Sequence, residues 1–538
     1  MVLKSLVGLL LLAGCNSPQS QEPVRFHFSV DAADPSTPSA FVVSAAQKIP
    51  FRIEVILHNE DEALFFERKD YALSHRIPLI GLGAEKAWTI QARLIDENER
   101  VIESKPKEVQ TPALPIDFPI IEELVGTPQP FEHGYLLFDL KTVTESKNYY
   151  VLLNADLEVV WWREDRRSCT DIHLQPDGHI FGICNYLATQ ISLTGETLIR
   201  QPIHDPGAEQ EDINIHHEIS NTSDGGFLSL HAATIDVEAY PVSEDEPDVF
   251  EPATIREDWI LSINSDLVLE EKWALSDILP TSRIGYDSIS RDTDIKPHDW
   301  THSNGVIEDI ANGGMLISVR HQDALIKVNT AGELLWILSD PPGWPEEWQD
   351  KLLQGQGEFD YPLHPHAPEI DENGLVWLFD NGNYGSTPYT EPEDEREVAS
   401  RVVAYKIDED NMTFEEVYSF DETTEGSLYS SALGDADWLP HVDSVLSVWG
   451  RVERRLADAG PLPTKQNISS HILMHTPGQD EPVMHLKIAD CLCDEEVFSS
   501  THRGWKVYRS QWVPSFYTAD TAPVPISNFD PEAPFTTP

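Results

Sequence analysis

Four histidines stand at matching places in this chain of 538 residues. His173 precedes Asp177-Gly178, His217 precedes Asp224-Gly225, His302 precedes Asn312-Gly313, and His366 precedes Asn373-Gly374. An imidazole can attack an electrophile, carry a proton or bind a metal. A single histidine of this kind is ordinarily a hydrogen-bonded polar residue. Four at one position of a repeat point to one shared site. Two segments sharpen that reading. Pro297-His298-Asp299-Trp300-Thr301-His302-Ser303-Asn304 is followed by Ser318-Val319-Arg320-His321-Gln322-Asp323, and Leu363-His364-Pro365-His366-Ala367-Pro368 is followed by Phe379-Asp380-Asn381-Gly382. Arg320 is one of 37 basic residues against 92 acidic ones, in a chain of formal charge −55. Cationic and hydrogen-bonding groups gathered inside so negative a protein suit the capture of a tetrahedral oxyanion. The same histidines taken with Asp171, Asp299 and Asp437 also admit a metal-dependent hydrolase or lactonase.

The elements that must position these residues are strands. Each Asx-Gly turn leads into an apolar run: Ile180-Phe181-Gly182-Ile183, Phe227-Leu228-Ser229-Leu230, Met315-Leu316-Ile317-Ser318 and Leu375-Val376-Trp377-Leu378. Four-stranded units recurring with insertions are the pattern of β-propeller blades. Six blades are predicted, beginning near Gly134, Thr170, Asn214, Pro297, Leu363 and Gly434, with Trp505–Arg509 returning to close the ring. Innermost strands would then bring the histidines into one central funnel. Phe51–Leu57 and Trp88–Ile95 alternate apolar and polar residues, which predicts a small β-sandwich. The expected fold is therefore all-β: a sandwich over residues 23–115, a six-bladed β-propeller over 120–515, and an irregular Pro-rich tail over 516–538. The acidic insertions Val242–Glu251 and Thr390–Glu397 read as solvated loops.

Composition narrows the partners. A surface this acidic repels nucleic-acid phosphates and anionic lipids, which excludes a polyanion-binding role. Lys4 followed by the uncharged run Leu6–Gly14 and then Cys15 has the form of a bacterial lipoprotein signal, with residues 16–22 as a tether. The run is too short to span a bilayer. An exported lipoprotein, periplasmic or outer-surface and membrane-anchored through Cys15, is the expectation. Export makes a disulfide plausible between Cys169 and Cys184. With Pro176-Asp177 as a two-residue turn, those two cysteines lie opposite each other. Cys491 and Cys493 are too weak a pair to assign a metal.

With these motifs in place, the chain resembles the bacterial aryl-sulfate sulfotransferase family. The likeness is carried by Asp299–Asn304, Ser318–Asp323, Phe379–Gly382, His216-His217-Glu218 and Gly504–Arg509. It implies sulfuryl transfer from a phenolic sulfate donor to a phenol acceptor, with no nucleotide donor, cofactor or metal. It also implies a transiently sulfated histidine, which His366 matches better than His364. Pro365 and Pro368 around that histidine depart from the family pattern. His217, His302, Asn304 and Arg320 match the family's sulfate-contacting residues, with His302 as proton carrier. A non-catalytic surface binding lipoprotein is the alternative of another class, and a homodimer stays open. The overall negative charge raises histidine pKa values while Arg320 opposes it, so activity is expected to fall below about pH 6 to 7.

Overall fold

The computed structural model describes residues 26–126, 134–143, 147–207, 213–290, 297–393, 398–422, 428–453, 466–489, 502–518, 522–527, 529–531 and 534–535. Cys15, Cys491 and Cys493 lie outside them. The described chain is nearly all β, and its helical elements are short 3-10 turns such as Arg320–Gln322.

The N-terminal part is a seven-stranded hydrogen-bonded sheet that encloses its own apolar core. Phe41–His58 pairs with Ala63–Leu79 on one side and with His27–Ala32 and then Ala87–Asp96 on the other. Its register breaks between Ala46 and Phe51, so the two halves of one long strand meet different neighbours. Phe51, Ile53, Val55 and Leu57 are buried, as period-two alternation dictates. They share one core with Phe41, Val43 and Trp88. The tail is not wholly irregular: Val524–Pro525 adds a strand to this sheet, and Tyr517 Oη donates to the Ile80 carbonyl at 2.8 Å.

Beyond Ile120 the described strands form five mainly antiparallel sheets, and the ten-stranded one divides at His502–Lys506 into two groups, so that six groups can be followed. Four are contiguous in sequence: Cys169–Gln201, His216–Ala274, Ser303–Leu338 and Pro365–Phe420. A fifth, Asp435–Ala489, takes Ile120–Val125 as its outermost strand. The sixth joins Tyr135–Thr142, Asn148–Leu153 and Val159–Asp165 to a C-terminal strand, Ser510–Val513. The return is thus made by two short strands and not by Trp505–Arg509 alone. His502–Lys506 bridges the last two groups, and the chain then turns because the Tyr508 and Arg509 N–H groups both donate to Asp139 Oδ1, at 2.8 and 3.1 Å. First strands neighbour one another in order: Ser510–Val513, Cys169–Leu174, His216–Asn221, Ser303–Glu308, Pro365–Ile370 and Asp435–Leu439. The Ser510 N–H donates to Asp435 Oδ2 at 3.3 Å, linking last to first. At Gly305 a Cβ would come within 2.4 Å of Pro368 Cδ, so glycine lets the strand after His302 press against the one carrying His366.

Cys169 and Cys184 form a disulfide and are paired in register. The turn is one residue longer than expected, because the Gln175 N–H donates to the His179 carbonyl and His173 faces Phe181. A bulge between Thr170 and His173 removes that offset, which restores the cysteine pairing. Closing a loop of this length stabilises a fold by ~3 kcal/mol in the chain-entropy account.

Candidate functional site

One backbone device recurs where the site forms. The first strands of four groups carry a break in register, between Thr170 and His173, His216 and Ile219, Ser303 and Gly305, and His366 and Glu369. A residue of left-handed conformation sits at or beside each break: Asp171 (φ 53°), His217 (φ 60°), His302 (φ 44°) and Ala367 (φ 48°). An extra residue in a strand turns a side chain out of the alternating pattern, and bulges of this kind gather at sites. The neighbouring first strands then bring these side chains together.

Around the ring, His217 and His302 have centroids 5.2 Å apart, His302 and His321 4.5 Å, and His321 and His364 5.7 Å. His302 Nδ1 lies 2.6 Å from Asp299 Oδ2. A carboxylate accepts, so Nδ1 carries the proton and Nε2 faces the site with its lone pair or a second proton. His321 Nδ1 donates to the Asp299 carbonyl, while Arg320 donates to His321 Nε2. The Arg320 guanidinium also reaches the Ser431 carbonyl at 3.4 Å and lies 3.8 Å from Asp287. Its Nε is buried without a partner.

His366 is 4% exposed, and its Nδ1 donates to the His364 carbonyl at 3.2 Å. Nε2 therefore holds the lone pair. Burial first, and the Arg320 charge second, push the His366 pKa well below the ordinary value, against hydrogen bonds to His364 and Asn381. The expected rise from the acidic chain is overturned locally. His364 differs: Nδ1 lies 2.9 Å from Asp323 Oδ1, and Nε2 lies 3.2 Å from the Tyr286 carbonyl. Nε2 thus faces a carbonyl, while Nδ1 sits beside the carboxylate without hydrogen-bond geometry. His217 is held neutral by burial and by His216, whose Nδ1 is 2.6 Å from His217 Nδ1 and whose Nε2 is 3.1 Å from Asp258.

Asn304 is held by two hydrogen bonds within the protein. Its Nδ2 donates to the Pro365 carbonyl at 3.0 Å, and its Oδ1 accepts from Ser318 Oγ at 2.6 Å. It holds the backbone just before His366. His173 stands apart, 2.9 Å from Asp171, in a buried group with Arg509, Glu218 and Asp435. Arg509 donates to Glu218 and lies 3.1 Å from Asp171. Burial pushes Glu218 up to about 8 and Asp435 up to about 6. Burial also opposes ionisation of Asp171, but His173 and Arg509 hold its carboxyl below the ordinary range.

Three groups bring ligand-type atoms within 4.8 Å of one another: Asp287–His321–His364, Asp299–His302–His321 and Asp171–His173–Glu218. Each fits a cation poorly. Arg320 already occupies His321 Nε2, and Arg509 occupies Asp171 and Glu218. A metal there would have to displace a guanidinium.

Residues 122–494 match the sequence model of the family Arylsulfotransferase (ASST). The chain belongs to that family. It is 26% identical over 149 residues to the arylsulfate sulfotransferase AssT of Escherichia coli O6:H1, covering 24% of each chain. Against the AssT of Lelliottia amnigena it is 25% identical over 171 residues, covering 29% of this chain and 28% of that one. The matches span about a quarter of these relatives' length. A solved Bacteroides caccae protein of unknown function is similar over 71% of this chain and 99% of its own, at 12% identity and a TM-score of 0.37. That is too loose a likeness to carry a fold.

Several site residues of this arylsulfotransferase-family chain carry no signal in sequence. Tyr384 Oη donates to Asp287 at 2.7 Å, and its ring lies 4.4 Å from Tyr286. The two acidic insertions are more than solvated loops. The Tyr389 N–H donates to the Glu244 carbonyl at 2.9 Å, the Asp287 N–H to Glu244 Oε1 at 3.0 Å, and Tyr286 Oη to the Thr390 carbonyl. They meet beside Arg320. A cavity of about 740 Å³ opens next to His217 and His302, walled by Tyr186, His231 and Arg256.

Proposed function

We propose that this chain moves a sulfuryl group from an aryl sulfate ester to a phenol through a sulfated His366. The observation that carries the reading is a buried imidazole held neutral, with its lone pair on Nε2, beside a guanidinium and a carboxylate-backed second histidine. Its family membership and the printed names of its relatives support the substrate class.

In the first half-reaction Nε2 of His366 forms the N–S bond as the S–O bond to the aryl group breaks. Arg320 faces the charge on the peripheral oxygens. His302, protonated on both nitrogens, gives the Nε2 proton to the departing phenolate. In the second half the neutral His302 takes the acceptor's proton, the acceptor oxygen attacks sulfur, and the N–S bond breaks. Asn304, bonded to Pro365, would set the height of His366. Donor and acceptor use the site in turn, so steady-state lines should be parallel. The six strand groups are read as blades of one propeller, supported by the succession of neighbouring first strands. Export and anchoring through Cys15 complete the proposal, supported by the apolar run before it.

Enzyme quenched after exposure to donor alone should carry an acid-labile sulfuryl adduct on the peptide containing His366, and His366→Asn should lose both adduct and turnover while staying folded. An adduct on His364 or His302, or near-normal turnover by His366→Asn, overturns this assignment.

A further inference from the structure

Arg320 is not saturated by its own fold. One terminal nitrogen of its guanidinium meets His321 and the other reaches the Ser431 carbonyl at 3.4 Å, while Nε is buried without a partner. A carboxylate stands beside it: Asp287 Oδ2 lies 3.8 Å from the guanidinium and 3.8 Å from His364 Nε2. Burial lowers the Arg320 pKa, and Asp287 leads the charges that oppose burial, ahead of Asp323 and Asp299. Those two are engaged elsewhere. Asp323 Oδ1 accepts the His364 N–H at 2.9 Å, and Asp299 Oδ2 meets His302 at 2.6 Å.

Asp287 is fixed in place. Tyr384 Oη donates to its Oδ1 at 2.7 Å, and its own N–H donates to Glu244 Oε1 at 3.0 Å. Its backbone is left-handed, with φ 66°, which a residue other than glycine keeps only where its surroundings hold it. The side chain is 44% exposed, so water screens its charge in part. A fixed negative charge beside the guanidinium lowers the affinity of every anion that Arg320 takes. In free energy it costs a doubly charged anion twice as much as a singly charged one.

Sulfate and phosphate monoesters share a tetrahedral shape and three peripheral oxygens, and an arginine fork accepts either. They differ in charge. A sulfate ester carries one negative charge, whereas a phosphate ester carries nearly two at neutral pH and above. Setting a like charge against the wrong ligand is one way a site rejects it. We propose that Asp287 is a specificity-determining residue that restricts the oxyanion pocket at Arg320 to singly charged sulfate esters and rejects doubly charged phosphate esters. The seat of the oxyanion at Arg320 rests on the sulfotransferase reading above. Removing a partly screened unit charge a few ångströms away raises affinity about fivefold for a monoanion and about 25-fold for a dianion, so selectivity falls about fivefold.

The test measures calorimetric binding of benzylsulfonate and benzylphosphonate to the full chain at about pH 9, where the first carries one charge and the second two. Neither has an ester bond, so no group is transferred during the measurement. The wild type should bind the sulfonate more tightly. Asp287→Asn, whose amide still offers Tyr384 an acceptor, should lower the preference for sulfonate over phosphonate about fivefold while both ligands gain affinity. Asp287→Glu, which keeps the charge, should hold the preference within about twofold of the wild type. If Asp287→Asn loses both ligands, the loop has been disturbed, and Asp287→Ser then decides by the same ratio. A wild type without preference, or a ratio that loss of the charge leaves unmoved, overturns the assignment. So does an equal fall of the ratio in Asp287→Glu. Absence of sulfuryl transfer from an aryl sulfate, with the binding ratios behaving as stated, counts against the sulfotransferase reading and leaves the role of Asp287 standing.

Discussion

Replacing Asp299 with Asn removes the negative charge that His302 Nδ1 meets at 2.6 Å and keeps almost everything else. The bond from His321 goes to the main-chain carbonyl of Asp299, so it is untouched. The amide oxygen of Asn can still accept from Nδ1, which preserves the tautomer. What is lost is the difference between a charge-assisted and a neutral hydrogen bond, about 1–2 kcal/mol. Both side chains are about a quarter to a third exposed, so solvent screening keeps the loss at the lower end. A loss of ~1–2 kcal/mol slows the affected step about 5- to 30-fold. That step is protonation of the departing phenolate, because the charge of Asp299 stabilises the doubly protonated His302. Initial rates should therefore fall about tenfold with phenyl sulfate, a poor leaving group, and less than about threefold with 4-nitrophenyl sulfate, whose phenolate leaves without help. Equal losses for the two donors, or no loss for either, would refute the assignment of His302 as proton carrier.

The pH dependence of stability is the next expected outcome. His217, His321 and His366 are held below their ordinary pKa, so the stability they confer is present above about pH 6.5 and is lost as pH falls, each with a slope of up to about 1.4 kcal/mol per pH unit. Glu218 and Glu369, pushed up to about 8, and Asp435, pushed up to about 6, act oppositely and lose their contribution as pH rises through those values. Calorimetric Tm should peak between about pH 4.5 and 6.5, and a Tm still rising above pH 8 would contradict this account. Turnover, carried by a His366 that stays neutral, should persist below pH 6 rather than fade there. Cys15→Ala should move the protein out of the membrane fraction or leave it unprocessed; an unchanged lipid-modified species would refute anchoring at Cys15.

Strand groups were legible because turn chemistry is local. Asn312-Gly313 and Asn373-Gly374 form turns with the glycines at φ 78° and 79°, a conformation glycine adopts without a Cβ clash, and the apolar runs after them are buried strands. In chain order the groups begin at Tyr135, Cys169, His216, Ser303, Pro365 and Asp435, within a few residues of expectation except for the fourth. There His298–Asp299 pairs in parallel with the preceding group before the new one starts. Less legible was anything set by a bulge. The turn after Gln175 is one residue longer than its Pro-Asp pair predicts, and the cysteines pair only because a bulge takes up the offset. The direction of Asn304 was equally hidden, since its partners, Pro365 and Ser318, come from a neighbouring group and a neighbouring strand. So was the contact between the acidic insertions, 145 residues apart at Glu244 and Tyr389.

The repeated bulge explains how one backbone device yields side chains of different character. Non-glycine residues in the left-handed region cost of order 1–2 kcal/mol each, so Asp171, His217, His302 and Ala367 hold that conformation only because neighbouring groups pack around it. In three groups the polar residue itself is left-handed. In the fourth, Ala367 takes the strain and His366 precedes it, in register with Phe379. That shift of one residue places the imidazole within the strand ladder instead of at its turned edge. There it is 4% exposed, has a carbonyl on Nδ1 and pairs with no carboxylate among the described residues. His302, on the turned position, is half-buried and backed by Asp299. Burial without a carboxylate makes a neutral nucleophile, and a carboxylate with solvent access makes a proton carrier. In the proposed mechanism, the single-residue offset between two otherwise equivalent strands would divide those two tasks between two histidines.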